Sequence, residues 1–276
     1  MTQPTNSFDV DAYFGRIGYD GQPAATLACL REIHARHPAT IPFENLSPLL
    51  GIPVELDISA LQRKLISEMR GGYCYEHNLL LKAALESIGF QVTGLAARVV
   101  WNRTDDAITS RSHMLLLVMI EEAAYIADVG FGGQTLTAPL RFELDIEQET
   151  PHEPFRFIRM ENDLVLQSKI RDTWKSLYRF DLQPQHLIDY ELTSWYLSHH
   201  PHSRFVTHLV AARTAAQRRY GLLDNQFSIH ELGGETTRRR LASSGELREV
   251  LEKVFTIRLP EHPALASMLE GIAQRD

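Results

Sequence analysis

Cysteine is scarce in this chain, with only Cys29 and Cys74 among 276 residues. Two cysteines cannot build the disulfide framework that stabilises small secreted domains. Long apolar runs are also missing, because the longest uninterrupted one, Met114 to Ile120, is far shorter than the roughly 20 residues of a membrane-spanning helix. Residues 1–4 show neither the basic nor the apolar region of a secretory signal peptide. We therefore expect a cytoplasmic protein in which Cys74 stays reduced.

The chain also lacks an excess of positive charge. Its 28 Lys and Arg residues against 35 Asp and Glu residues give a formal net charge of −7. That balance argues against a nucleic-acid or membrane-surface partner. A hydrophobic content of 44% over 276 residues is enough for a substantial core. We find no internal repeat and no long low-complexity linker, and nothing in the sequence specifies an oligomeric state.

Cys74 lies in the segment RGGYCYEHN, residues 70–78, between two glycines and an apolar-periodic stretch typical of a helix. The N–H groups and the positive dipole end at a helix N-terminus favour a thiolate, which is the nucleophilic form of cysteine. The glycines permit a tight bend before the helix. We interpret Cys74 as a nucleophile, whereas Cys29, on the apolar side of another predicted helix, is expected only to pack.

A nucleophilic cysteine needs a base, and the base needs a group that orients it. His113 opens an apolar strand, and Asp128 lies at the end of the strand predicted to return beside it. An even-numbered hairpin connection centred between Ile120 and Glu121 would place His113 opposite Asp128 on one face, whereas a three-residue connection would separate them. Asp128 is also the only carboxylate within this apolar strand pair, so it needs a partner.

These features resemble those of the arylamine N-acetyltransferases, and most closely the bacterial members that also acetylate N-hydroxyarylamines on oxygen. The similarity is dense over residues 10–140 and thinner beyond. The segments that carry it are YFGRIGYDG (13–21), IPFENL (41–46), RGGYCYEHN (70–78) and DVGFGG (128–133), with a weaker match at SHHPHSRF (198–205).

The resemblance implies a catalytic triad. Cys74 would take the acetyl group from acetyl-CoA, His113 would be its base, and Asp128 would orient the imidazole. The acceptor would be an aromatic amine, a hydrazine or an N-hydroxyarylamine, in a ping-pong exchange. Acetyl-CoA would be a co-substrate, and no tightly bound cofactor or metal is expected.

The resemblance also implies roles for residues around the triad. Arg70 and Glu44 would join the loop before Cys74 to the turn at residues 42–45 as structural support. The predicted substrate-binding residues, which would line an aryl pocket, are Phe43, Phe131 and Phe205. The predicted CoA-binding residues, in the loop after Asp128, are Gly130, Gly132 and Gly133.

The hydropathy pattern changes twice along the chain and predicts an α+β fold. Helical spacing appears at residues 25–37, 58–69 and 79–88. Short strands then follow at 92–101, 114–120, 124–129, 155–160 and 164–168, the last two around a turn at Asn162-Asp163. Helical character returns at 190–216, before a strand at 226–232 and a final helix at 245–254. The family implies an N-terminal helical bundle (1–89), a central β-barrel (90–189) and a C-terminal α/β lid (190–276), with a papain-like Cys-His-Asp core.

Other interpretations remain open at this point. The histidines His199, His200, His202 and His208 lack the carboxylate or cysteine pattern of a metal site and straddle Pro201. Arg238, Arg239 and Arg240 are expected in a solvated turn, although they could contact a phosphate. The same triad could serve an amide synthase or a thiol hydrolase with another acyl donor. The protein could also be a non-catalytic module that binds CoA or an aromatic ligand.

Overall fold

The computed structural model describes residues 8–104 and 106–275. The N-terminal part is helical, as the sequence predicts, although the helix ends differ by a few residues. The side chain of Thr26 caps the second helix by accepting from the Cys29 N–H, which fixes where that helix begins. The helices are α1 (Val10–Ile17), α2 (Leu27–Thr40), α3 (Leu46–Leu49), α4 (Ile58–Leu61) and α5 (Cys74–Ser87).

The helix predicted at 58–69 is only partly α-helical. After α4 the chain continues as a π-helix over Gln62–Ser67. Met69 then adopts a positive φ of 53°, which ends the helical segment. The chain thus turns sharply just before the Arg70 to Tyr73 loop that leads into α5.

Seven antiparallel strands form a nearly closed barrel, in the order β5-β4-β3-β2-β8-β7-β6. The barrel is open between its two edge strands, β5 and β6. Isolated bridges from Leu144 and Gln148, which follow β5, to Phe157 and Phe155 of β6 narrow this opening. The strands predicted between residues 92 and 168 are all present, and β5 and β8 are additional ones. The bounds are β2 (Gln91–Val99), β3 (His113–Ile120), β4 (Ala123–Ala127), β5 (Leu140–Arg141), β6 (Phe155–Met160), β7 (Asp163–Ile170) and β8 (Thr173–Phe180).

The β3–β4 hairpin sets the relation between His113 and Asp128. Its connection is even-numbered, as the hypothesis requires, but Ile120 pairs with Ala123, so the turn is centred between Glu121 and Glu122. Extending this register places Asp128 across from Leu115, two residues beyond His113. The expectation that His113 and Asp128 lie directly opposite is therefore wrong, and the two side chains are diagonal neighbours on one face of the sheet.

A second sheet connects the N-terminal helical part to the C-terminal part of the chain. Its strand order is β1-β9-β10-β11-β12. Strand β1 (Phe43–Glu44) belongs to the N-terminal part and pairs with β9. The C-terminal elements are α6 (Leu187–His199), α7 (Arg204–Thr207), β9 (Val210–Ala215), β10 (Arg218–Leu223), β11 (Gln226–Glu231), β12 (Thr236–Arg240), α8 (Ser244–Glu249) and α9 (Leu265–Ala273), and a π-helical segment, Val250–Val254, follows α8.

Three predictions for this C-terminal part are wrong. The helix predicted at 245–254 is α-helical only up to Glu249, and it is not the final one because α9 follows it. The helical character predicted up to residue 216 ends at Thr207, because the alanine-rich segment that follows forms β9 between β1 and β10. Pairing on both sides outweighs the helix propensity of alanine there. Arg238, Arg239 and Arg240 lie in the exposed strand β12 rather than in a turn. Within the described residues, no helix is long and apolar enough to cross a membrane.

Gly130, in the loop that follows β4, packs closely against α5, and a substitution there tests this packing. A β-carbon built there would lie 2.8 Å from Cys74 Cα and 2.9 Å from the Asn78 Nδ2. We expect Gly130→Ala to lower the melting temperature, because overpacking costs about 1–3 kcal/mol. Gly133→Ala is the control, since no heavy atom lies within 4 Å of its added carbon. Equal melting temperatures for the two variants in thermal unfolding would contradict this packing.

Candidate active site

Cys74 is the first residue of α5, and only 4% of its surface is exposed. The Glu76 carboxylate accepts from the Tyr73 N–H at 3.0 Å and pairs with Lys64 Nζ at 2.6 Å, which fixes the start of the helix. Gly72 has no room for a side chain, since an added carbon would lie 2.5 Å from Glu76 Oε2. A side chain at Gly72, two residues before Cys74, would therefore displace the Glu76 carboxylate that caps α5.

His113 and Asp128 form a buried ion pair, with His113 Nε2 2.7 Å from Asp128 Oδ2. Burial acts to lower the pKa of His113, but the charge and hydrogen bond of Asp128, with a smaller contribution from Cys74, raise it to about 10. Because Nε2 is bound to Asp128, Nδ1 is the nitrogen left for Cys74. The Cys74 sulfur lies 3.6 Å from the Ser112 carbonyl oxygen, next to His113 in the chain.

The second oxygen of Asp128 has protein partners as well. Oδ1 accepts from Asn78 Nδ2 at 3.0 Å and from the Gly130 N–H at 2.9 Å. Burial acts to raise the pKa of Asp128, whereas the positive charge of His113 and the hydrogen bonds lower it below its usual value. Asn78 is one helical turn after Cys74, so α5 carries both the sulfur and a donor that holds Asp128.

Phe131 lies on the His113 side of the site. Its ring meets the His113 ring edge-on, with centroids 5.2 Å apart. Tyr178 of β8 packs against both rings, 5.0 Å from His113 and 5.3 Å from Phe131. No sequence pattern indicated Tyr178, because it lies on β8, which the sequence did not predict.

Phe43 and Phe205 lie together near the start of α5. Their ring centroids are 5.9 Å apart, and Phe205 also packs against Tyr73, the residue before Cys74, at 5.5 Å. The Phe43 ring also lies near the loop after β4, since a carbon added at Gly132 would lie 3.6 Å from it. The three predicted aromatic residues therefore form two clusters, one beside His113 and one beside the Cys74 segment.

The three predicted glycines occupy different environments. Gly130 is buried against Cys74, and its N–H is already donated to Asp128. Gly132 has a positive φ of 80° and is half-buried, whereas Gly133 is exposed. Arg219 of β10 holds this loop by donating to the carbonyl oxygens of Gly133 and Thr135 at 3.3 and 3.0 Å.

No motif in the sequence points to Arg219 as a residue that supports this loop. Its side chain is 2% exposed and pairs with Glu153 at 2.7 Å. The two residues are 66 positions apart, so no local pattern indicated the pair.

Arg70 and Glu44, the two residues that the family resemblance pairs, form an ion pair in the structure. Arg70 Nη2 is 2.7 Å from Glu44 Oε1, and both side chains are buried. Burial acts to raise the pKa of Glu44, but the positive charges of Arg70 and Lys64 and the Leu46 N–H lower it below its usual value. The pair joins the loop before Cys74 to β1.

The histidines considered as metal ligands have other contacts. His199 stacks on Trp195 and His200 on Tyr196, while His208 pairs with Asp224 at 2.6 Å. Among the residues that the structure describes, no group of three or more His, Cys, Asp or Glu side chains could hold a metal ion.

We expect a large loss of stability when the Arg70 side chain is replaced by an uncharged one. In Arg70→Met the Glu44 carboxylate would remain buried without its charged partner, which costs about 3–5 kcal/mol of unfolding free energy. The exposed pair of Arg63 and Glu55, at 2.8 Å, is the control. Arg63→Met should change stability by less than about 1 kcal/mol. Denaturant unfolding measures both variants, and similar losses would rule out a special role for the buried pair.

Comparison with known proteins identifies the family. Residues 26–264 match a family model described as N-acetyltransferase. The arylamine N-acetyltransferase of Mycolicibacterium smegmatis is 45% identical over 257 residues, covering 92% of this chain and 93% of the relative. The Salmonella typhimurium relative, named arylamine N-acetyltransferase / N-hydroxyarylamine O-acetyltransferase, is 43% identical over 202 residues, covering 73% of this chain and 72% of the relative.

Solved structures agree with the sequence comparison. The Mycobacterium marinum arylamine N-acetyltransferase in complex with CoA superposes with a TM-score of 0.92 at 39% identity, covering 96% of this chain and 99% of that one. The family model, the identities and this structural match together show that the chain belongs to the arylamine N-acetyltransferase family.

Proposed function

We propose that this protein transfers an acetyl group from acetyl-CoA, through a thioester on Cys74, to an aromatic amine or hydrazine, and to the oxygen of N-hydroxyarylamines. The observation that carries the proposal is the position of Cys74 at the start of α5, beside a buried His113 whose pKa is raised to about 10 by Asp128. A protonated imidazole next to a thiol at a helix N-terminus stabilises the thiolate. The names of the relatives supply the acceptor class and the donor.

In the first half-reaction, the Cys74 thiolate attacks the carbonyl carbon of acetyl-CoA. A new carbon–sulfur bond forms and the carbonyl becomes an oxyanion, which the N–H groups in the first turn of α5 would stabilise. Collapse of the intermediate breaks the bond to the CoA sulfur, and the His113 imidazolium gives that sulfur its proton. One thioester replaces another, so the acetyl group stays activated on Cys74.

In the second half-reaction, the acceptor nitrogen attacks the acetyl-cysteine. His113 has given its proton to the CoA sulfur and is neutral when the acceptor attacks, while the charge of Asp128 still raises its pKa and so makes it a strong base. The neutral imidazole can therefore take the amine proton as the new carbon–nitrogen bond forms. Breaking the bond to Cys74 releases the product and restores the thiolate beside the imidazolium, which completes a ping-pong cycle.

The aromatic residues favour a flat, apolar acceptor. We assign Phe131, Phe43 and Phe205 to the walls of the acceptor site, since one lies beside His113 and two beside the Cys74 segment. Phe205 comes from the part of the chain expected to act as a lid. Gly132 and Gly133 remain our candidates for backbone contacts with CoA, and Gly130 would support Cys74 from beneath.

The proposal predicts a covalent intermediate. Mixing the protein with acetyl-CoA and no acceptor should add the mass of one acetyl group by intact-protein mass spectrometry, and an arylamine should remove it. Cys74→Ala should gain nothing, whereas Cys29→Ser should be acetylated like the unmodified protein, because Cys29 lies buried beside Tyr19 in another part of the core.

Two other outcomes would contradict this proposal in different ways. Rapid labelling of Cys74 by iodoacetamide without acetylation would indicate an amide synthase or thiol hydrolase that uses another acyl donor. Slow labelling together with no acetylation would indicate a non-catalytic binding module.

A further inference from the structure

The main chain at Asp128 is held by an imidazole from a distant helix. His34 lies on α2 with no exposed surface, and its Nε2 accepts from the Asp128 N–H at 3.1 Å. The two residues are 94 positions apart in the sequence. The family motifs quoted above do not include His34.

Asp128 depends on this acceptor because of where β4 ends. The strand ends at Ala127, so the Asp128 N–H lies just beyond it, and Asp128 is fully buried. A buried N–H without an acceptor costs roughly 1–3 kcal/mol. On the other side of the residue, the Thr135 hydroxyl donates to the Asp128 carbonyl oxygen at 3.0 Å. Together these contacts fix the backbone from which the carboxylate extends.

The contact also determines the state of His34. An imidazole that accepts at Nε2 must be neutral and carry its proton on Nδ1. Burial lowers the pKa of His34 to about 4, against the opposing effect of the Asp128 charge, so the ring is neutral at pH 7. Asp128 is the ionisable group that acts on the pKa of His34, and the nearby His37 has its own pKa lowered by burial and, in smaller part, by His77 and His34. His34 Nδ1 has no hydrogen-bond partner among the described residues. Burying this unpaired nitrogen costs free energy of folding, which argues against a role for His34 in stability alone.

We propose that His34 is a positioning residue of the active site: its neutral imidazole fixes the Asp128 main chain so that the carboxylate stays aligned with His113. This inference rests on the proposed function, because it assumes that the alignment serves to keep a thiolate on Cys74. His34 would not touch the acetyl donor or the acceptor. Its effect would pass through Asp128 to His113 and so to the reactivity of the sulfur.

A matched pair of variants isolates the acceptor. In His34→Gln the amide oxygen can accept from the Asp128 N–H, whereas His34→Leu removes the acceptor but fills much of the space. We expect His34→Leu to slow iodoacetamide alkylation of Cys74 at pH 7 by roughly tenfold, the typical effect of one such hydrogen bond on an equilibrium. Its alkylation profile should also move to higher pH. His34→Gln should keep most of the alkylation rate and most of the pH profile of the unmodified protein.

His37→Gln is the control for loss of a buried histidine, because His37 contacts Tyr13 and His77 rather than Asp128. His37→Gln should not change the pH profile of Cys74 alkylation, even if this substitution lowers the melting temperature. An unchanged profile in folded His34→Leu, or equal slowing in both His34 variants, would overturn the inference.

One measurement needs no variant. Nitrogen NMR of the unmodified protein at pH 7 should show His34 neutral, with its proton on Nδ1, and a proton on Nε2 would overturn the inference even if His34→Leu fails to fold. None of these measurements uses acetyl-CoA, so they are distinguishable from a failure of the proposed function. Rapid alkylation of Cys74 without acetylation would contradict acetyl-CoA as the donor. The role of His34 would still be decided by the pH profiles of alkylation.

Discussion

Asp128 is a carboxylate with no exposed surface, and the architecture of the site depends on keeping it charged there. An isolated buried carboxylate is costly and would take up a proton instead. Here one oxygen meets His113, the other accepts from Asn78 and Gly130, and its main-chain N–H is bound by His34. These partners come from β3, α5, α2 and the loop after β4. The negative charge therefore joins four separate parts of the fold and raises the pKa of His113.

The Cys74 segment is held by a second set of buried charges. Arg70 binds Glu44 of β1, and Lys64 binds Glu76 in the first turn of α5. Ion pairs of this kind add little net stability when complete, but each charge would be costly without its partner. They fix the loop before Cys74 relative to the helix and the second sheet, so the sulfur has one position relative to His113. Proximity of this kind is a large part of what a covalent mechanism needs.

The sequence predicted those features of the site that depend on short-range patterns around residues with reactive side chains. The position of Cys74 at a helix start and the pairing of the strands that carry His113 and Asp128 followed from short-range rules of hydropathy and strand alternation, whereas the even-numbered connection was one of two alternatives until the structure decided it. The exact register did not follow from the sequence, because a shift of the turn centre by one residue preserves the faces of the strands and leaves no mark in the hydropathy pattern. Strand β9 was taken for helix, since alanine favours helices until two neighbouring strands are present to pair with it. Contacts such as that of His34 with Asp128 join residues 94 positions apart, and a single sequence does not indicate them.

The charge of the buried Asp128 carboxylate keeps His113 protonated in the resting protein, although burial alone would favour the neutral ring. Nitrogen NMR of the His113 ring in the acetyl-free protein tests it most directly, because the two ring nitrogens report their protons separately. Since the folded pKa is raised from 6.5 to about 10, both nitrogens should remain protonated at pH 8 and lose this state only as the pH approaches 10. A ring that is already neutral at pH 7 would contradict the account, because Cys74 would then lack the positive partner that stabilises its thiolate.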